Sequence, residues 1–196
     1  RGPRIYGSDA QYQNWIDNII PVLPGSPAGI IIDIGAGMGK VLAMLRSSHT
    51  KQWARLIGFE PAPTSVCNGW RLFRDKDIEL HAADASALAC LPNQMADAII
   101  SVGVLPLFSP LSYLCRSMLE QVRVLKPGGW AIHAWIVNGV FNWEDKLNLK
   151  PAFWGTSEEP LPACSAEIGR QLSQVILVHD NFGGPYNGYA VRLQKE

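Results

Sequence analysis

The apolar run Ile30-Ile31-Ile32-Asp33-Ile34 stops at Gly35-Ala36-Gly37-Met38-Gly39, and this junction constrains the fold more than any other stretch of the chain. A run of β-branched residues without polar alternation reads as a strand buried on both faces, the habit of parallel sheets covered by helices. A glycine-rich turn at the carboxyl end of such a strand lets backbone approach a bound molecule closely. The spacing is Gly35-x-Gly37-x-Gly39, and Lys40 stands where the dinucleotide fingerprint G-x-G-x-x-G places its third glycine. The pattern predicts a nucleoside ligand other than a nicotinamide dinucleotide.

Strand and helix signals alternate along the rest of the chain. Ser8 can cap a helix carrying Tyr12, Trp15, Ile16, Ile19 and Ile20 at helical spacing, ended by Pro24-Gly25-Ser26-Pro27. After the glycine turn, Val41, Leu42, Met44 and Leu45 continue as a crossover helix, and Leu56 to Glu60 reads as a second strand. Pro61 opens a helix reaching Phe73, Ile78 to Asp84 forms a third strand with its turn, and Asp97 to Val104 a fourth. A helix from Ser109-Pro110 buries Leu111, Leu114, Cys115, Met118, Leu119 and Val122, and Gly128-Gly129 is expected to turn the chain into a fifth strand, Trp130 to Val137. Val175 to His179 and Tyr189 to Leu193, joined by a glycine- and asparagine-rich turn, read as a closing hairpin. The prediction is an α/β fold: a seven-stranded, mostly parallel, doubly wound sheet with an antiparallel last strand. A chain of 196 residues accommodates this as one domain over 1–196, with a helical segment at 1–27 and an aromatic-rich cover loop at 138–162.

Two motifs in order, Asp33-x-Gly35-x-Gly37-x-Gly39 and Arg123-Val124-Leu125-Lys126-Pro127-Gly128-Gly129, make the chain resemble the class I S-adenosylmethionine-dependent methyltransferases. The resemblance extends from about Tyr6 to the C-terminus and implies S-adenosylmethionine as cofactor and methyl transfer as activity. It also implies roles for the strand ends. Gly35, Ala36, Gly37 and Gly39 would carry the methionine part of the cofactor, with Asp33 fixing the turn or reaching the ligand's ammonium. Glu60, followed by Pro61, would accept hydrogen bonds from two vicinal ribose hydroxyls. Asp84 would accept from the adenine amine, or cap the short segment after it, and Ala85 would offer a backbone amide to the ring. Ser101, Val102 and Gly103 would line the cofactor near the transferred methyl.

A sulfonium methyl is already activated, so in-line displacement mainly requires holding a nucleophile about 3 Å from it. A base matters only for an acceptor that must lose a proton, and the candidates are His133, His179 and Tyr186, with Asp180 as a polar neighbour. The segment after the fourth strand, Ser101 to Phe108, lacks the Asn/Asp-Pro-Pro-Tyr/Phe clamp for planar amino groups. It looks more like the branch related to quinone-biosynthesis methyltransferases, with Pro106 where a histidine often stands. Trp135, Asn138 and Trp143 are the better candidates for an acceptor pocket, while Tyr6, Tyr12, Trp15 and Trp154 divide between pocket and core.

Lys+Arg and Asp+Glu number 17 each, so no net positive field is available to a phosphate backbone. The expected acceptor is therefore a small molecule, or else a protein side chain, with nucleic acid disfavoured. Cys67, Cys90, Cys115 and Cys164 form no Cys-x-x-Cys pair; reduced buried thiols in an intracellular protein are expected, without a metal site. No apolar stretch is long enough to span a membrane. Three other readings remain open: a nicotinamide-dependent oxidoreductase, opposed by Lys40; a non-catalytic binding or scaffold domain; and an aminopropyl transferase, opposed by the absence of an acidic pair at Val102 to Pro106.

Overall fold

The computed structural model describes residues 12–13, 16–17, 29–48, 53–104, 111–137, 172–181 and 187–196. Strands β1 (Gly29–Ile34), β2 (Trp53–Glu60), β3 (Glu79–Ala82), β4 (Ala96–Val102), β5 (Leu125–Val137), β6 (Leu172–Asn181) and β7 (Asn187–Lys195) form one sheet in the order β3-β2-β1-β4-β5-β7-β6. The pairs from β3 to β5 are parallel, and β7 runs antiparallel to both β5 and β6. The chain order reverses between β1 and β4, so their carboxyl ends flank the crevice where such sheets bind ligands.

Helices α1 (Lys40–Ser47), α2 (Pro63–Leu72) and α3 (Leu111–Val124), with a short 3-10 segment at Ala85–Cys90, complete the described elements. Alternation along the strands feeds two cores. Ile32, Ile34, Ile99 and Ala131 meet Leu114, Met118 and Val122 of α3 on one face. Ile31, Leu56, Ala98, Ile100 and Ile132 meet Val41, Leu42 and Leu45 of α1, Val66 of α2, and Ile16 on the other. Both faces are covered, which is why the strands lack polar alternation.

The Arg123 to Gly129 motif is not the turn expected. β5 begins at Leu125 and pairs through it with Ala96, yet the next registered pair is Ala98 with Trp130. Lys126 to Gly129 therefore bulge from the ladder opposite Asp97, with Gly128 at φ 75°. The bulge brings Lys126 Nζ to 2.7 Å from Asp97 Oδ2, which also accepts the Ile30 N–H at 2.8 Å, pinning three strands at one carboxylate. Arg123 donates to the carbonyls of Leu88 and Leu91 at 2.7 and 2.9 Å and to the Glu120 carboxylate, tying the 3-10 segment to the end of α3.

Other expectations shift slightly. β3 ends at Ala82 rather than at Asp84, and β4 ends at Val102. Cys67 and Cys90 are free but exposed, and Cys115 is disulfide-bonded, against the expected set of reduced buried thiols; spacing alone does not tell which thiols a fold brings together. No helix among the described residues is long and apolar enough to cross a membrane. The 138–162 segment, Leu105 to Phe108, Tyr6, Trp15, Trp143, Trp154, Asn138 and Tyr186 lie outside the described residues, as does most of the 1–27 segment.

Candidate functional site

The site begins where β1 runs into α1. Gly35 and Ala36 both donate to the Phe59 carbonyl, at 2.8 and 3.0 Å, which folds the loop across the end of β2. Gly35, Gly37 and Gly39 all have left-handed φ, 70°, 56° and 80°, but the reason for glycine differs at each. A Cβ on Gly35 would strike the Val104 side chain at 2.3 Å, and one on Gly39 would strike Leu80 at 2.9 Å. Those two are required by protein packing. At Gly37 a Cβ would meet no atom within 4 Å, so open space lies over the loop there, and the same holds at Gly103. These two glycines leave room for a ligand at neighbouring strand ends.

Glu60 organises this space. Its Oε2 accepts the Gly37 N–H and its Oε1 accepts the Ala62 N–H, both at 2.9 Å, so one carboxylate joins the glycine loop to the start of α2. Sequence reading missed this brace. Each oxygen retains a further lone pair, so the brace and a pair of ribose hydroxyls are compatible. Asp33 is buried at the end of β1, 2% exposed. Burial first, and the nearby Glu60 charge second, push its carboxyl well above the usual range. A ligand ammonium placed there would counter both effects.

Pro61 and Asp84 are exposed at the rim, and the Asp84 carbonyl accepts the Ala87 N–H at 3.0 Å as the 3-10 segment begins. Ala85 is 3% exposed, and its methyl belongs to the core rather than to the rim. Val102 is half-buried and Gly103 exposed. Among the described residues no group of three or more His, Cys, Asp or Glu could hold a metal ion. The open space at Gly37, the paired acidic strand ends Asp33 and Glu60, and the exposed Asp84 fit a nucleoside carrying an amino-acid tail.

Ser101 and His133 face each other across the β4 and β5 ladder, each 0% exposed, with Ser101 Oγ 2.7 Å from Nδ1. Nε2 is buried without a hydrogen-bond partner. The pair is sealed in the sheet, so neither side chain reaches an acceptor in this arrangement. Burial lowers the His133 pKa to about 3. Because the unfolded chain takes up this proton near pH 6.5 and the folded chain does not, the histidine's contribution is complete above about 6.5 and is lost progressively as pH falls toward 3. Urea unfolding across that range should show an acid slope of up to about 1.4 kcal/mol per pH unit that His133→Gln lacks. Equal slopes would contradict the buried neutral state. His179 lies on β6, opposite Tyr189 of β7, remote in strand order from β1.

A parallel sheet reversing at β1 and β4, with a glycine loop braced by the acidic end of β2, defines the class I nucleoside-binding methyltransferase architecture. Residues 32–133 match the family described as "Methyltransferase domain", and the chain belongs to that family. It is an S-adenosylmethionine-dependent methyltransferase domain. The chain is 32% identical over 189 residues to the Bos taurus protein named "Probable tRNA methyltransferase 9B", covering 93% of this chain and 37% of that protein. It is 27% identical over 145 residues to the Macaca fascicularis tRNA (carboxymethyluridine(34)-5-O)-methyltransferase ALKBH8, covering 73% and 20%. The chain thus spans well under half of either relative. In fold it is similar to the N-methyltransferase NodS from Bradyrhizobium japonicum WM9, with a TM-score of 0.67 at 14% identity over 96% of this chain and 98% of that one.

These names overturn one expectation. A small-molecule acceptor with nucleic acid disfavoured was inferred from equal charge counts, whereas both relatives are named for tRNA. Net charge sums over every surface and does not report whether one face is basic. The relatives support the class, and not the branch resembling quinone-biosynthesis enzymes.

Proposed function

We propose that this domain transfers a methyl group from S-adenosylmethionine to an oxygen of a modified nucleoside in tRNA. The observation that carries the reading is the 32% identity, across 93% of the chain, to a relative named as a tRNA methyltransferase. The name of the second relative specifies a carboxymethyluridine and an oxygen. A carboxylate is ionised at neutral pH, so an acceptor of that kind attacks without first losing a proton. This suits a site in which the buried His133 serves the sheet and no proton need be removed.

In this reading the cofactor supplies an electrophilic methyl, and the chain supplies position. Gly37 and Gly103 leave space for it, Glu60 holds the loop and the ribose, and Asp84 meets the base at the rim. Asp33 answers the ammonium of the methionine part. Val102, at the end of β4, borders the approach to the methyl.

Incubation with S-adenosylmethionine labelled in its methyl group, with tRNA, protein and small-metabolite fractions from a single lysate offered separately, tests the acceptor. Label is expected in tRNA, in a nucleoside that loses it on mild alkaline ester hydrolysis. Label in the protein or metabolite fraction, with none in tRNA, would contradict the RNA acceptor while leaving methyl transfer intact.

A further inference from the structure

Lys40 follows the last glycine of the loop and is the first residue of α1. Its Nζ lies 4.8 Å from the centroid of the Tyr12 ring, a distance at which an ammonium is attracted to the aromatic face. Tyr12 comes from the N-terminal helical part of the chain and packs against the core cluster that contains Ala36 and Val41, either side of the loop's end. Its hydroxyl pKa is raised, by burial first and by the Asp33 charge second. Tyr12 therefore stands between an anion at the end of β1 and a cation at the start of α1, and both border the loop whose Gly37 faces open space.

An α-amino acid carries an ammonium and a carboxylate on one carbon, and recognition of both calls for one group of each sign a few ångströms apart. The amino-acid end of the cofactor is such a zwitterion. We propose that Lys40 receives its carboxylate while Asp33 receives its ammonium, and that Tyr12 is a positioning residue that holds Lys40 over the loop through its ring. The proposal rests on the cofactor reading given above and adds two residues to it. It also gives Lys40 a function: in place of a glycine that admits a pyrophosphate, the chain places a cation matched to a carboxylate.

The test compares S-adenosylhomocysteine with its methyl ester, which keeps the nucleoside and the ammonium and removes only the carboxylate charge. The readout is calorimetric affinity, independent of turnover. Wild-type protein is expected to prefer the free acid by about 10-fold or more, as a charge-assisted hydrogen bond would give. Lys40→Met should erase that preference by weakening the acid alone, and Lys40→Arg should restore much of it. Tyr12→Phe, which keeps the ring, should retain the preference, and Tyr12→Leu should reduce it. Full preference in a folded Lys40→Met protein, or no preference in wild type, would overturn the proposal with the cofactor site intact. If wild type binds neither ligand, the cofactor reading itself fails and this proposal falls with it.

Discussion

Gly37→Arg is expected to yield a folded protein whose affinity for S-adenosylhomocysteine is lower than wild type by about 100-fold or more. The loss has a steric origin. The loop residue has φ 56°, and a Cβ there touches no protein atom within 4 Å, so the added side chain projects into the space left for ligand rather than into the core. The left-handed backbone costs a non-glycine residue about 1 to 2 kcal/mol, which shows as a modest fall in thermal stability. Gly37→Ala carries the same backbone cost with little bulk and should retain most binding. Calorimetry with a thermal melt on each variant separates the effects. Wild-type affinity in a folded Gly37→Arg protein would remove Gly37 from the site.

Glu60→Ala should weaken S-adenosylhomocysteine binding by about 1 to 3 kcal/mol, roughly 5- to 150-fold, and lower stability as well. Two backbone donors, Gly37 and Ala62, lose their partner together with any ribose hydroxyls, so the loop and the start of α2 loosen together. Removal of the Glu60 charge also lets the Asp33 carboxyl fall toward its ordinary range, because Glu60 is the second cause of its raised value. Glu60→Gln retains one acceptor oxygen and should show a smaller binding loss. Equal affinity in wild type and Glu60→Ala would confine this residue to bracing the loop.

The parallel half of the sheet was legible because Ile30 to Ile34 and Ala96 to Val102 are continuous apolar runs, a pattern that follows from helices covering both faces. The start of β5 was not. Lys126-Pro127-Gly128-Gly129 has the composition of a turn, and only its register against Ala96 and Ala98 shows a bulge. His133 was taken for an accessible base because a residue on an all-apolar strand gives no sign of depth along the sheet, and only the structure pairs it with Ser101. The glycine loop was readable as a loop, but the separate reasons for its glycines were not, since they depend on Val104 and Leu80 arriving from other strands. Tyr12 and Lys40 meet only in three dimensions, and sequence reading treated them as a pocket candidate and a missing glycine.

The acceptor was misjudged because charge was counted over the whole chain. Exposed Arg71 and Arg74, three positions apart on or just beyond α2, contribute to a local surface that a total of zero conceals. Phosphate recognition depends on such local geometry, so equal counts of acids and bases do not decide it.

Calorimetric titration of the wild-type chain with S-adenosylmethionine and S-adenosylhomocysteine, with NADH as the control, tests most directly whether the ends of β1, β2 and β4 form the methyl-donor site. One-to-one binding of both sulfur nucleosides, with no heat from NADH, is the result expected from the Gly37 opening and the Asp33 and Glu60 carboxylates. Binding of NADH alone, or of no nucleoside, would contradict it.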